Sequence, residues 1–429
     1  MPQIYSIITA IAILSKKTNI LNNDTIRAIG AIMIELLWDP KKGIWSEEVS
    51  SAEKLTRNFF GNREKDKVWL RPEEALYIMG FQNGVCKNSD GKEVSFNDVA
   101  SFYAAKEQSF FVKYNAYRDW RDRGLISKRI VDVEDTKGKS EKRKKYPSKE
   151  LEKKYIESTA YWYPESFFSI IEDAKAGEAL FNEHWFGQLG VYKQERGDML
   201  KLDFMETVFL GKHFKLNIIN SATGKTIKPE TILKDVKNKR EYTKQLYDVY
   251  EDWRLRGYIV KTGFKFGAHF RIYFPGARPG RSDDKWIHSK HVLHVFPKTQ
   301  KMLVSEWSRA VRVAHGVKKT FILSIPEMTQ KDYVDYPADF LAYRRKKEKD
   351  SWIRETPKDK PRYLLVPVSE DEHIGGVELA SLLKKARNMG LELLLSITDR
   401  ETAITYYLLK QIILPGSDYE YYEIEWMKP

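Results

Sequence analysis

The sequence predicts an α+β protein assembled from internal repeats, and four pairs of matching segments predict it. Residues 305–325 read SEWSRAVRVAHGVKKTFILSI and residues 377–397 read VELASLLKKARNMGLELLLSI, 72 positions apart. Residues 117–124 read YRDWRDRG and residues 250–257 read YEDWRLRG. FFGNREKDKVWLRPEEALYIMG (59–80) resembles WFGQLGVYKQERGDMLKLDFMETVFLG (185–211), and HVLHVF (291–296) resembles RYLLVP (362–367). Matches in one consistent order imply an N-terminal unit, a complete two-part unit and a lone C-terminal unit.

The N-terminal stretch IYSIITAIAILSKK is apolar but lacks a basic leader and a small-x-small cleavage site, so it reads as a core helix. Segments 59–80 and 185–211 each run an aromatic–glycine pair, a basic hairpin, an apolar strand and a helix carrying Glu74 or Glu206. In the central unit Phe270, Ile272 and Phe274 alternate with Arg271 and Tyr273, the period of a half-buried strand, which turns Tyr273 from the apolar face. A polar, glycine-rich loop (275–286) then leads to His288 and a second strand. Segments 305–325 and 377–397 both read as an amphipathic helix running into an apolar strand. At that strand's start Lys319 faces Leu391 and Lys318 faces Gly390, the difference expected between an active module and a retired copy.

With 429 residues the chain is long enough for two to four domains. No apolar run is long enough to span a bilayer, and a single cysteine, Cys86, excludes an intrachain disulfide and a multi-cysteine zinc site. Both point to the cytoplasm. The net charge of +13 points to a polyanionic partner. Residues 137–154 carry nine Lys or Arg against three Glu, including Lys142, Arg143, Lys144 and Lys145. This run reads either as a solvated linker or as a mobile basic loop that follows a phosphate backbone.

An antiparallel hairpin brings Tyr273 and His288 together at its open mouth, and the following helix returns Lys319 to the same sheet edge. A tyrosine, a histidine and a lysine suit RNA cleavage without a metal. That reaction needs a base for the ribose 2′-OH, an acid for the leaving 5′-oxygen and a cation on the phosphorane. Two other readings use the same residues differently. A noncatalytic RNA-binding scaffold needs only the basic surface. A metal-dependent nuclease needs clustered acids, for which Asp283-Asp284 is the one pair in the central hairpin.

The runs WRLRGYIVKTGFKFGAHFRIY, HSKHVLHV and RAVRVAHGVKK resemble those of the archaeal tRNA-splicing endonucleases. The resemblance covers residues 165–345 as a full catalytic subunit and implies the three-unit, homodimeric type. It implies an N-terminal-domain-like unit (1–135), a basic linker (136–164), the N-terminal domain of the catalytic unit (165–262), its nuclease domain (263–348) and a noncatalytic C-terminal unit (349–429). N-terminal domains of helices on an antiparallel sheet and nuclease domains with a central mixed sheet are the implied fold. The implied substrate is precursor tRNA, cut at bulge–helix–bulge junctions without metal or cofactor. Tyr273 becomes the general base, His288 the general acid and Lys319 the phosphorane cation, with Lys318 the competing lysine. A tyrosine of ordinary pKa, about 10, needs neighbouring cations to act as a base at neutral pH. The resemblance further implies a cation–π clamp on a bulged base, with Arg312 at its first position and Lys331 or Arg344 at its second. His288 aligns with Asp359 in the C-terminal unit, whose acidic loop PGSDYEYYE (415–423) offers Asp418 and Glu420 to a second chain.

Overall fold

The computed structural model of the protein describes residues 33–133, 137–138, 143–190, 197–282 and 285–429, with 281–282 and 285–286 as backbone only. The N-terminal segment expected to form a core helix, Lys142 of the basic run and the Asp283-Asp284 pair lie outside the described residues. The fold is α+β, and the chain divides into two units, residues 1–126 and 127–429.

The first unit is a six-stranded sheet with helices Val49–Arg57, Pro72–Phe81, Phe96–Ala104 and Phe110–Asp122. Strands Ile34–Asp39 and Gly84–Lys87 run parallel at its centre. The second unit opens with a comparable layer, in which strands Gln188–Leu189, Leu200–Asp203, Phe168–Ile171, Thr159–Tyr163 and Asn217–Asn220 form a five-stranded sheet. Helices Ala174–His184, Phe204–His213 and Pro229–Lys237 accompany it, and helix α1 (Thr243–Leu255) leads out of it.

The same atoms do the same work in both layers. Glu206 sits at the third position of its helix. Its carboxylate accepts from the Asp203 N–H at 3.1 Å and the Gly187 N–H at 2.8 Å. Glu74 accepts from the Arg71 N–H at 3.0 Å and the Gly61 N–H at 3.1 Å. Each carboxylate thus satisfies a helix-start donor and pins the aromatic–glycine turn. The shared arginine of the DWR motif also repeats its role. The Arg121 guanidinium lies 3.9 Å from the Phe60 ring, and that of Arg254 lies 3.9 Å from Phe186. Buried Arg254 donates through its two terminal nitrogens to the carbonyls of Tyr258 and His184.

Gly187 has a backbone φ of +63°, and a Cβ there would stand 2.5 Å from the Lys201 carbonyl oxygen. Gly187→Ala is therefore expected to cost about 2 kcal/mol or more, read as a fall in the midpoint of thermal or urea unfolding. An unchanged midpoint would mean that the turn is not constrained as described.

The remainder of the second unit is one sheet of eleven strands. We number its ten principal strands β1 (Ser127–Arg129), β2 (Ile259–Thr262), β3 (Phe270–Tyr273), β4 (His291–Val295), β5 (Thr320–Ser324), β6 (Phe340–Ala342), β7 (Tyr363–Ser369), β8 (Glu392–Thr398), β9 (Ile404–Ile413) and β10 (Tyr421–Met427). Their spatial order is β2-β3-β4-β5-β10-β9-β8-β7-β6-β1. Helix α2 (Val304–Gly316) crosses between the parallel strands β4 and β5, and helix α3 (Gly376–Asn388) crosses between the parallel strands β7 and β8. The two helices span residues 72 positions apart, the spacing of the sequence repeat. The halves join where β10 pairs antiparallel with β5. One face buries Trp307, Val311, Leu379 and Leu382 of the two helices, and Trp253, Phe270, Ile272 and Leu293 share the core on the other side.

Two strands outside residues 349–429 complete the C-terminal half. β6 pairs with β7 as β3 pairs with β4, and β1 pairs with β6 as β2 pairs with β3. β1 follows directly on the first unit, and a salt bridge of 3.0 Å between Arg129 and Asp339 fastens it beside β6. The catalytic-type module is thus inserted between β1 and β6 of its own duplicate.

Candidate active site

Three neighbouring strands bring the expected residues to one edge of the sheet. Ile272 is the register partner of His291, and His291 that of Thr320. Beyond the paired residues, the Lys290 N–H donates to the Ile272 carbonyl at 3.1 Å, and the Thr320 N–H donates to the Lys290 carbonyl at 3.2 Å. Tyr273 at the end of β3, the His288–Lys290 segment before β4, and Lys319 before β5 therefore stand side by side.

Tyr273 faces away from Phe270 and Ile272, yet it is only 5% exposed. Trp185 covers it, with ring centroids 4.8 Å apart. The Arg271 guanidinium lies 6.0 Å from the Tyr273 ring and brings positive charge to the same side. Trp185 opens the aromatic–glycine turn that Glu206 pins, and the Lys261 ammonium bridges the Gly187 carbonyl and Glu206 at 2.8 Å each. His288 is exposed, whereas Ser289 next to it is buried. Lys319 donates to the Ser289 carbonyl at 2.5 Å and lies 5.3 Å from the Phe266 ring. Partial burial, with Arg271 and Lys290 nearby, lowers its pKa below the usual lysine value.

The backbone distinguishes the two lysines. Lys318 has φ +56°, and its counterpart Gly390 has φ +69°. Both occupy the left-handed position that ends a helix, where the following N–H bonds back into the last turn. Lys319 N–H reaches the Ala314 carbonyl at 2.9 Å, and Leu391 N–H reaches that of Ala386 at 2.8 Å. Lys318 is the exposed helix terminator, and Lys319 is the half-buried lysine that meets the Ser289 carbonyl.

Of the other histidines of the central module, His269, His291 and His294 have packing partners in the sheet, whereas His315 is exposed at the end of α2. His269 accepts from the Val295 N–H at 2.9 Å, and its ring lies 4.3 Å from that of His294. His291 sits 3.4 Å from the Tyr146 hydroxyl. Burial lowers their pKa values to about 4 for His269, about 3 for His294 and about 4 for His291. The unfolded chain takes up these protons first, because an unperturbed imidazole titrates near ~6.5. Their contribution to stability is complete above that pH and is lost as pH falls toward about 4. The unfolding midpoint is accordingly expected to drop between about pH 6.5 and 5, and His294→Phe to reduce that slope by one proton's share. An unaltered slope in the variant would contradict this.

The duplicate half holds the same places without the chemistry. Tyr343, which follows β6 as Tyr273 ends β3, is fully buried at 0% exposure. Asp359 replaces the histidine and accepts from the Thr356 N–H at 2.9 Å, with Lys346 at 3.4 Å. Leu391 stands where Lys319 would be, and Gly138 of the basic linker lies against it, its N–H bonded to the Met389 carbonyl at 2.7 Å.

That linker is anchored at Gly138 and at residues 144–146, while residues 147–150 and 152–154 are exposed. Lys144–Lys145 pair in parallel with Ile412–Ile413 of β9. Burial of Tyr146 drives the docking, and its hydroxyl donates to buried Glu423. Lys144 bridges to the same carboxylate at 2.7 Å, Arg143 donates to Gln411 at 3.1 Å, and Lys145 is exposed. Tyr146→Phe leaves Glu423 one donor short and is expected to cost about 1–3 kcal/mol of stability in urea unfolding. A neutral result would show that the hydroxyl is not needed to anchor the linker.

Arg312 and Lys331 are exposed, on α2 and in the loop after β5, and Arg344 is half-buried beside Glu355. The turn bearing Asp418 packs on α1 of the same chain. Ser417 and Tyr421 hydroxyls each donate to Asp252 at 2.7 Å, and Arg256 donates to the Pro415 carbonyl at 3.1 Å. Glu420 is taken by the Tyr422 hydroxyl and by Arg387 at 3.6 Å, while Asp418 stays exposed. Among the described residues no three His, Cys, Asp or Glu side chains gather as a metal site, and no helix is long and apolar enough to cross a membrane. Sequence reasoning missed Trp185, the Ser289 carbonyl and the Tyr146–Glu423 anchor. Only Trp185 carried a signal, as the first residue of the repeated aromatic–glycine turn.

Residues 243–336 match the model of the tRNA intron endonuclease catalytic C-terminal domain. The chain is 35% identical to a tRNA-splicing endonuclease of Methanothermobacter thermautotrophicus over 144 residues, 34% of this chain and 79% of that protein. It is 32% identical to one of Methanopyrus kandleri over 142 residues, 33% of this chain and 75% of the relative. A longer match, 23% identical over 370 residues, links 69% of this chain to 97% of a tRNA-splicing endonuclease of Methanococcoides burtonii.

Proposed function

Because the chain belongs to the tRNA-splicing endonuclease family, we propose that it removes introns from precursor tRNA by cutting bulge–helix–bulge junctions at the Tyr273, His288 and Lys319 edge. The observation that carries this reading is the contrast between the two halves of the sheet. One half brings Tyr273 and Lys319 to the strand ends beside the exposed His288, and the other has Tyr343 fully buried with Asp359 and Leu391 in the remaining two places.

In the proposed reaction Tyr273 takes the proton of the ribose 2′-OH, and the 2′-oxygen attacks the adjacent phosphorus. The bond from phosphorus to the 5′-oxygen breaks as His288 donates its proton to that oxygen. Lys319 places its ammonium against the charge on the phosphorane. The products are a 2′,3′-cyclic phosphate and a 5′-hydroxyl, so no water, metal or cofactor enters the balance. Arg312 and Lys331 are the proposed clamp on the bulged base. Arg143, Lys145 and, outside the described residues, Lys142 extend the basic surface, and Lys144 contributes less because Glu423 holds it.

One active half per chain fits an enzyme of the three-unit type that works in the cytoplasm as a homodimer. Its two sites would meet the two scissile phosphates of one intron, with Asp418 and Glu420 near the partner. The deciding assay is cleavage of an intron-containing precursor tRNA beside an intronless control. Release of the intron from the first alone supports the proposal. Tight binding of both without cutting would favour a noncatalytic RNA scaffold.

A further inference from the structure

The retired half keeps one feature that its own fold does not require. Between β6 and β7, in the place of the loop that carries His288, strands Arg345–Glu348 and Ser351–Arg354 form an antiparallel hairpin. From Arg344 to Arg354 there are six Lys or Arg against Glu348 and Asp350. Arg345 is the register partner of Arg354, and Lys347 that of Trp352. Trp352 is 68% exposed, and Ile353, Lys347 and Lys349 beside it are exposed as well.

None of this favours the hairpin by itself. An isolated two-stranded hairpin is marginal in water. An indole left in solvent forgoes the burial for which aromatic residues are ordinarily retained. The hairpin is nevertheless held at its base. The Glu355 N–H donates to the Arg344 carbonyl at 2.9 Å, and Lys346 meets Asp359 at 3.4 Å. A polyanion neutralises the exposed Lys347 and Lys349, and an unpaired base gives the indole a face to cover. Cations interleaved with an exposed aromatic ring are the elements with which proteins hold unpaired nucleic acid.

We propose that the 345–354 hairpin is a second RNA contact, gripping phosphates and stacking on an unpaired base of the same precursor away from the cut. This rests on the substrate proposed above. The sheet fixes how far away. β4 and β7 lie five strand steps apart, about 24 Å at ~4.8 Å per step. Three of those steps are antiparallel, so β4 and β7 start at opposite ends of the sheet. Within one chain the hairpin therefore does not reach the scissile phosphate at the Tyr273 edge, and it acts on affinity and not on the chemical step.

The test measures the Kd for precursor tRNA over a range of salt, and the single-turnover cutting rate at saturating enzyme. Wild type, Trp352→Ala and the double variant Lys347→Ala, Lys349→Ala are compared. Trp352→Ala is expected to weaken binding at least about 5-fold. The double variant is expected to flatten the slope of log K against log salt by about 0.7–0.9 per lysine. The saturating rate should stay at the wild-type value in both. An unchanged Kd and salt slope, or a lower saturating rate at unchanged Kd, would overturn the proposal. Failure of the wild type to cut would count against the endonuclease reading alone, because the binding measurements do not depend on cutting. Both lysines and the indole are exposed, so the variants should unfold at the wild-type midpoint.

Discussion

Replacing His288 with alanine is expected to lower the single-turnover rate of precursor cleavage by about 10²–10⁴-fold while leaving the Kd for the RNA within a few-fold of wild type. The size follows from the role. Once the general acid is gone, the 5′-oxygen must leave as an alkoxide or take its proton from water. The selectivity for rate over affinity follows from the structure, in which His288 is exposed on a loop that the neighbouring strands already fix. The histidines nearest to it on the sheet are poor substitutes. His291 is buried and His269 and His294 are partly so, with pKa values lowered to about 4, about 4 and about 3 for His269, His291 and His294, so they are not imidazolium at neutral pH. A His288→Ala enzyme that still cuts within a few-fold of wild type would remove this residue from the mechanism.

The second large effect separates two adjacent lysines. Lys319→Ala is expected to lower the cleavage rate by about 10²–10³-fold, the loss typical of removing one preorganised group that stabilises charge in the transition state. Lys318→Gly is expected to leave the rate unchanged and the fold intact. It places the natural residue for a left-handed helix terminus at a site of φ +56°, as Gly390 does in the duplicate. Equal losses in the two variants, or the larger loss at Lys318, would mean that the ammonium recruited by the substrate is not the one that meets the Ser289 carbonyl. Burial and two neighbouring cations depress the Lys319 pKa. Its ammonium form is therefore complete at low pH and is lost on the alkaline side earlier than that of an exposed lysine. Arg271→Ala should move that alkaline loss to higher pH.

The repeats made much of this legible. Helices α2 and α3 lie 72 residues apart because the apolar stripe that packs each on the sheet was copied with its spacing. Glu74 and Glu206 stood out for the same reason, and both close a helix start and a glycine turn. The interleaving of the two modules was not legible. β1 has three residues, too few to show a period, and its partner Asp339 lies 210 positions away. The different backbone settings of Lys318 and Lys319 were hidden because a left-handed backbone is a property of the helix end, not of lysine. The anchor within the linker was not legible because its nine cations mask Tyr146, the buried residue among those described.

The claim that ties these observations together is that Tyr273, His288 and Lys319 perform a transesterification on the RNA's own 2′-OH. Its most direct test is the chemistry of the cut ends formed by the wild-type protein in EDTA. A 2′,3′-cyclic phosphate on one fragment and a 5′-hydroxyl on the other, with cutting undiminished by the chelator, is the predicted result. A 3′-hydroxyl with a 5′-phosphate, or cutting that EDTA abolishes, would contradict it.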